Sequence, residues 1–512
     1  MSQAAAKTNH PKGLYFLFFT EMWERFSYYG MRAIFILFMT KVLMIQDADA
    51  SQIYGSYTGL VYLTPLLGGY LCDKFLGNRQ SIIIGGLLMA LGQFLMFLSA
   101  STGGGASGIS IMWAGLTSII IGNGFFKPNI STMVGQLYPA GDRRIDSAFT
   151  IFYMGINLGA FFSPLVCGSM DFKWGFLAAC IGMIVSLICF VLFQKKYLIS
   201  EEGKEIGLPV KKLDLKNILV IIGSIGIIFF MLNFKQMFQS DVEIISYFIY
   251  GAMLLMPIII LSDKSLTTLE RNRIIVIFIL AFFVIFFWGA FEQAGASLTL
   301  FADRQTERTV FGWEMPASYF QSINPLAVIV LAPILTIVWG YLYARKLEPS
   351  SPKKMAMGLT LVALGYVVIA IAVKGLGLGE KVSMYWLISL YVIHSIGELC
   401  LSPIGLSMVS KLAPLRLSSL MMGTWFLANA AANKFAGTLS ALIPPSGDAV
   451  DPSKPVEYPS IIGFQITNLY EFFMVFIVMT GISAGILFIL SSWLQKMMNE
   501  HHNKFAPDLD AH

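Results

Sequence analysis

Long stretches of this chain carry no charge. Residues 218–232 are one such block and residues 274–291 another. Lipid cannot hydrogen-bond a peptide group, so an apolar block of this length can cross a bilayer only when its backbone satisfies itself, as a helix does. Roughly 20 apolar residues in a helix span the hydrocarbon core. The composition agrees: 56% of residues are hydrophobic and 13% charged, against about 25% charged in soluble domains. The blocks are also rich in glycine, which lets helices pack closely in lipid. The fold class expected is therefore an all-α integral membrane protein.

The apolar blocks predict fourteen helices, at about 14–43, 53–72, 81–99, 109–134, 147–167, 173–193, 215–234, 244–262, 273–300, 317–344, 355–373, 384–411, 418–442 and 464–495. An even number puts both termini on one side, and loop Lys and Arg decide which. With cytoplasmic termini the inside loops carry, among others, Lys74, Arg79, Arg143, Arg144, Lys195, Lys196, Lys211 and Lys212. The outside set is short: Lys41, Lys173, Lys235, Arg304, Arg308, Lys374, Lys381 and Lys454. Inside outnumbers outside by roughly three to one, which fixes the orientation. The lysine-rich stretch 195–216 reads as a cytoplasmic linker, and a second polar break covers 262–273. The domain reading is a six-helix bundle over 1–194, a linker with a two-helix hairpin over 195–272, and a second six-helix bundle over 273–512. Two six-helix halves around a midplane site are a recurring transporter plan. The loop 444–459, rich in Pro, Ser and Asp, reads as extracellular. The stretch after the polar first dozen residues carries Glu21, Glu24 and Arg25, so it does not read as a cleavable signal peptide.

Charges that lipid disfavours carry the functional information. Glu21, Glu24, Arg25, Arg32, Lys127, Glu292 and Glu398 all sit within apolar blocks. Each costs about 2.5–3.5 kcal/mol at a helix centre unless it faces a polar cavity or a partner. Glu21, Glu24, Arg25, Tyr28 and Arg32 recur at i, i+3, i+4, i+7 and i+11, one face of one helix. Such a face is a cavity wall rather than a solvated surface. The seven formal charges sum to −1, and an unpaired buried carboxylate takes a proton sooner than it stays charged. That points to proton coupling, although Lys434 on another helix could balance the sum. Prolines interrupt helices beside polar residues at Lys127-Pro128-Asn129, Asn324-Pro325 and Ser402-Pro403, where a freed carbonyl permits bending.

The five cysteines show neither disulfide nor metal-site spacing and read as small buried hydrophobes. His394 and Glu398 share a helix face, but no third zinc ligand and no H-E-x-x-H pattern accompany them. No catalytic set, metal site, cofactor site or nucleic-acid pattern is found, so the chain is not read as an enzyme, and protons are the coupling ion expected. Oligomeric state is left open.

Three motifs carry a family resemblance. Glu21-Met22-Trp23-Glu24-Arg25-Phe26-Ser27-Tyr28-Tyr29-Gly30 on the first helix, Gly68-Gly69-Tyr70-Leu71-Cys72-Asp73-Lys74-Phe75-Leu76-Gly77 after the second, and Phe152-Tyr153-Met154-Gly155-Ile156-Asn157-Leu158-Gly159-Ala160 on the fifth resemble the proton-dependent oligopeptide transporters, a branch of the major facilitator superfamily. Cys72 stands where alanine is usual. The resemblance implies a major facilitator fold of two six-helix bundles plus the inserted hairpin, in a bacterial inner membrane, importing di- and tripeptides with protons by alternating access. It implies that Arg25, Arg32 and Lys127 gather around the peptide carboxylate and that Glu398 faces the peptide amino group. Asn157 and Asn324 would bond the peptide backbone, while Tyr28, Tyr29, Tyr62, Trp288 and Trp425 would line side-chain pockets, with Ser402 beside them. Glu21, Glu24, Arg25 and Glu292 would handle the proton, and Arg32–Glu292 and Lys127–Glu398 would be gating ion pairs. Gly69, Asp73, Lys74, Gly77 and Arg79 would latch helix ends. Relatives with this fold also carry nitrate or other small organic anions, and the cationic cluster suits an anion. Glu398 and the two asparagines favour a zwitterion with a backbone. A passive channel would instead ignore the proton gradient.

Overall fold

The structure is a computed structural model and describes residues 9–139, 142, 144–208, 214–238, 243–377, 379–445 and 458–499. Lys7, Arg143, Lys211, Lys212, Lys454, both extreme termini and most of the loop 444–459 lie outside them. The described chain is built from helices α1 (Lys12–Lys41), α2 (Asp47–Leu71), α3 (Gly77–Ser101), α4 (Gly105–Gln136), α5 (Ile145–Cys167), α6 (Phe172–Tyr197), α7 (Leu215–Phe238), α8 (Ile244–Leu261), α9 (Thr268–Phe291), α10 (Ser297–Arg304), α11 (Ile323–Ala344), α12 (Ser351–Val373), α13 (Met384–Leu412), α14 (Ser418–Ser440) and α15 (Leu469–Asn499). Fourteen of these are long helices matching the fourteen apolar blocks, and α10 is a short continuation of α9. Among the described residues, ten segments are long and apolar enough to cross a membrane, with α2 and α3 forming one of them. Three short two-stranded ribbons occupy loops, pairing Thr306–Glu307 with Val382–Ser383, Thr309–Val310 with Trp313–Glu314, and Ser460–Ile461 with Phe464–Gln465.

Both ends of α9 differ from the apolar pattern, each for a local reason, and α2 starts six residues before, and α15 five residues after, the expected positions. α9 starts several residues before its apolar block because Thr267 and Glu270 form a capping box. The Thr267 hydroxyl accepts from the Glu270 backbone and the Glu270 carboxylate accepts from the Thr267 backbone at 2.8 Å. At its far end, a helix predicted to run to about 300 instead breaks into a 3-10 turn, Glu292–Gly295, before α10. The Gln293 amide stabilises the break by donating to the Gly289 carbonyl at 2.9 Å. Between α2 and α3 the chain continues through a π-helical turn, Cys72–Leu76, so two predicted helices form one continuous run.

The helices group into two compact units. The first is Met1–Gln46, Leu60–Glu243 and Pro316–Leu326; the second is Asp47–Gly59, Ile244–Met315 and Ala327–His512. In the first unit α1 packs on α5 and α6, α3 packs on α4 and α6, and α7 lies against α4. In the second, α12 packs on α13 and α15, α9 packs on α14 and α15, and α8 lies against α14. All five cysteines are free, as the sequence spacing suggests.

The polar linker after α6 is tied to the first unit. Arg79, at the start of α3, is buried and donates to the carbonyls of Leu198 and Ile206, each at 2.8 Å, and to Glu205 at 2.9 Å. Arg144 bridges Asp142 and Glu201 and also donates to the Asn9 carbonyl at 2.7 Å. The hydrogen bonds from Arg144 hold the Asp142 carboxyl down at about 2. Asp142 thus keeps its charge throughout the neutral and mildly acid range.

A tight backbone-to-backbone approach in the first unit is between α2 and α4. A Cβ on Gly68 would lie 2.0 Å from the Gly124 carbonyl oxygen. The obstacle is backbone, which cannot swing aside as a side-chain tip can. Gly68→Ala is expected to destabilise the protein by about 1–3 kcal/mol, read as a lower thermal midpoint in detergent; an unchanged midpoint would show that these helices are free to part.

Candidate functional site

The charged face of α1 is buried in the first unit. Glu21, Glu24 and Arg25 are 1%, 0% and 2% exposed, and one guanidinium serves both carboxylates. Arg25 Nε and Nη2 bind the two oxygens of Glu24, the second at 2.8 Å. The same Nε lies 3.1 Å from Glu21 Oε1. The pairing follows from helical spacing, since Glu21 and Arg25 are one turn apart and Glu24 adjoins Arg25. A two-point grip of this kind is open to arginine and not to lysine. Glu21 Oε2 is buried and accepts no hydrogen bond. Two carboxylates thus share one guanidinium, and Lys127 of α4 is a further cationic neighbour of both.

α4 completes this wall. The Asn123 side chain is fully buried and donates to Glu24 Oε1 at 3.4 Å. The sequence reading missed Asn123. Its signal was present, because it lies one turn before Lys127 on the same helix. The Lys127 ammonium sits 4.7 Å from the centre of the Tyr62 ring on α2. Arg25 lies 5.4 Å from the Tyr28 ring and Arg32 5.7 Å from the Tyr29 ring. Cation–π contacts of this kind stabilise a charge without neutralising it. Tyr28 and Tyr29 meet edge to face with centres 5.1 Å apart. The Asn157 amide donates to the Tyr153 carbonyl of its own helix at 2.9 Å. Asn324 is half-buried at the start of α11, within the first unit.

The second unit presents the remaining residues. Trp288 is half-buried in the last turn of α9 and packs edge-on against Phe291. Glu292 follows, 4% exposed, at the head of the 3-10 turn. The Tyr366 hydroxyl donates to the Ala290 carbonyl at 2.7 Å and so fixes the end of α9 from α12. On α13, Glu398 is buried and Ser402 is half-buried one turn on. Trp425 of α14 lies against Gly405 of α13, where an added Cβ would stand 2.3 Å from the indole Cζ2. His394 is 3% exposed, hydrogen-bonded from Nε2 to the Val362 carbonyl at 3.1 Å, and packed against Tyr366. Among the described residues no group of three or more His, Cys, Asp or Glu is placed to hold a metal ion.

Sequence and structure comparisons agree with one another. The sequence model of the POT family matches residues 79–448. The peptide transporter YePEPT of Yersinia enterocolitica is 37% identical over 456 residues, covering 84% of this chain and 87% of its own. The dipeptide and tripeptide permease A of Salmonella typhimurium is 31% identical, covering 89% of each chain. A crystal structure of a peptide transporter POT in complex with sulfate superposes with a TM-score of 0.80 at 33% identity, covering 96% of both chains. A POT family transporter in complex with 5-aminolevulinic acid gives 0.79 at 32% identity, over 96% of this chain and 97% of that one.

Removing Arg25 strands two buried carboxylates. Arg25→Leu is expected to cost about 3–5 kcal/mol, the range found when one partner of a buried ion pair is deleted. Glu24→Gln, which keeps an acceptor for Arg25, is expected to cost clearly less. Thermal unfolding of the two purified variants in detergent checks the order; equal losses would show that the guanidinium is not what holds the cluster.

Proposed function

Because the chain belongs to the POT family, the proton-dependent oligopeptide transporters, we propose that it is a proton-coupled symporter importing di- and tripeptides by alternating access. The observation that carries this reading is the buried Glu21–Arg25–Glu24 cluster, in which two carboxylates share one guanidinium on the same helix face as Arg32. A proton and a cationic peptide-carboxylate site are thereby set on one rigid element.

The peptide carboxylate goes to Arg32 and Lys127, which are held by aromatic rings and remain charged. Arg25 is engaged by Glu24 and Glu21, so it joins them once a proton neutralises one of those carboxylates. Glu398 receives the peptide amino group. Asn157, Asn324 and Ser402 bond the peptide backbone, since amides and hydroxyls both donate and accept. Tyr28, Tyr29, Tyr62, Trp288 and Trp425 line pockets that accept many side chains, as a substrate class defined by its backbone requires.

Coupling uses charge exchange. A proton on Glu292 ends its pairing with Arg32 and frees the guanidinium for the peptide. Lys127 and Glu398 pair when the site is empty and part when peptide bridges them. Proton release on the inner side restores both pairs. Bound peptide and proton lower the cost of passing between outward-open and inward-open states; either alone leaves a buried charge without a partner, which costs several kcal/mol. We place both termini on the cytoplasmic side of a bacterial inner membrane, in line with the loop charges, and assign no cofactor beyond the proton.

The decisive measurement is uptake of labelled dialanine into liposomes under an imposed proton gradient, competed with tripeptides, single amino acids and nitrate. Concentrative uptake blocked by tripeptides supports the reading. Uptake blocked by nitrate, or uptake that never exceeds the external concentration, overturns it. Glu292→Gln is expected to abolish concentrative uptake while sparing counterflow exchange; undiminished concentrative uptake would remove Glu292 from the coupling step.

A further inference from the structure

Lys434 is a buried cation that the transport scheme above leaves unused. It is 0% exposed, in the C-terminal third of α14, and α14 turns a different side to each neighbour. Trp425 faces α13. A Cβ on Gly289 of α9 would meet Phe435 at 2.9 Å, and the Gln293 amide donates to the Ala436 carbonyl at 2.9 Å. A further side, with Ala430, Lys434 and Gly437, faces the first half of α2. There Gly55 and Gly437 approach so closely that a Cβ on either would stand 2.7 Å from the other's Cα. Ser51 and Ser440 share a hydrogen bond of 2.9 Å. The Lys434 ammonium donates to Gln52 Oε1 at 3.0 Å and to Ser56 Oγ at 2.9 Å. α8 covers the edge of this seam, with Ile249 placed 3.3 Å from where a Gly59 Cβ would be.

Glycine and serine faces suffice to pack two helices in lipid, so packing does not explain a lysine here. Charged residues inside a membrane mark function more often than structure. The two hydrogen-bonding partners are neutral, and each can donate as well as accept. These two bonds can therefore be exchanged as the helices shift. Lys434 also lies two residues from Ala436, whose carbonyl holds Gln293, and Gln293 adjoins Glu292. The path from Glu292 to α2, which alternates backbone steps with hydrogen bonds, is thus short and lies within one unit.

We propose that Lys434, held by Gln52 and Ser56, is a positioning residue for proton coupling: it sets where α14 rests on α2, and through Gln293 it sets the place of Glu292. The inference rests on the reading of Glu292 as the coupling carboxylate.

The test uses the full-length protein in liposomes with labelled dialanine, comparing uptake driven by a proton gradient with counterflow exchange. Lys434→Met keeps the side chain's length and removes its charge. It is expected to lower driven uptake about tenfold or more, the equivalent of one charge-assisted hydrogen bond, while counterflow stays near the wild-type rate. The pair Gln52→Leu with Ser56→Ala is expected to do the same, and the triple variant to be no worse than Lys434→Met alone, because the three act as one unit. Should Lys434→Met not fold, the Gln52 and Ser56 pair carries the comparison with the lysine in place. Wild-type driven uptake in the lysine variant, an equal loss of both activities, or additive losses would overturn the inference. Failure of the wild type to accumulate dialanine would overturn the transport reading and this inference with it.

Discussion

Arg25 sits among lipid-facing helices with almost no exposure to solvent, and two carboxylates share it. A guanidinium cannot shed its proton at any physiological pH, so in hydrocarbon it must keep an anionic partner. Glu24 supplies two oxygens and Glu21 a third contact, which commits the whole inner face of α1 to one arrangement. That arrangement requires α4 to bring Asn123 to Glu24 and α5 to approach α1 closely, because a polar face of this density cannot turn to lipid. The remaining helices of the first unit pack around this face.

The same rule explains which parts of the fold could be read from sequence. Lipid imposes helices on apolar segments, so fourteen blocks gave fourteen long helices with only local disagreement at their ends. The disagreements at α9 have side-chain causes. α9 begins early because Thr267 and Glu270 cap it, a T-x-x-E pattern that lies in the sequence but outside the apolar block. It ends early because the Gln293 amide offers the backbone a substitute partner at the break, and an apolar profile does not register one glutamine. Helix pairing was less legible. Gly68 meets Gly124, and Lys434 meets Gln52, through contacts between segments dozens to hundreds of residues apart, and nothing local to either residue names its partner.

For the candidate site, spacing on a single helix was the legible part. The positions of Glu21, Glu24, Arg25 and Tyr28 on one face follow from 3.6 residues per turn, and the ion pairs among the first three follow from that. Lys127 could be recognised as a charge in the wrong place, but its seat over Tyr62 could not be foreseen, since it depends on how α2 and α4 cross. Asn123 escaped notice because an uncharged amide in a membrane helix is not costly enough to stand out. Its importance comes entirely from the carboxylate it meets. Lys434 shows the converse: its charge was visible, yet its role depended on two small polar residues of α2 that carry no signal alone.

These cases separate two kinds of buried polar group in this protein. Arg25 is surrounded by acceptors that cannot donate, so its geometry is fixed unless a proton arrives. The lysine on α14 is held by at least two groups that can both donate and accept, Gln52 and Ser56, so those bonds can be exchanged without one. A proton-driven cycle needs both kinds. A rigid cluster registers the proton as a change in charge balance, and an adaptable contact lets helices move afterwards without leaving a charge exposed to lipid. The 3-10 break at Glu292 lies next to the second kind, since Gln293 ties it to α14. A carboxylate at a broken helix end can shift by a small rotation of one turn, whereas one inside an intact helix must move the whole helix. The break in α9 therefore suits the coupling role proposed for Glu292.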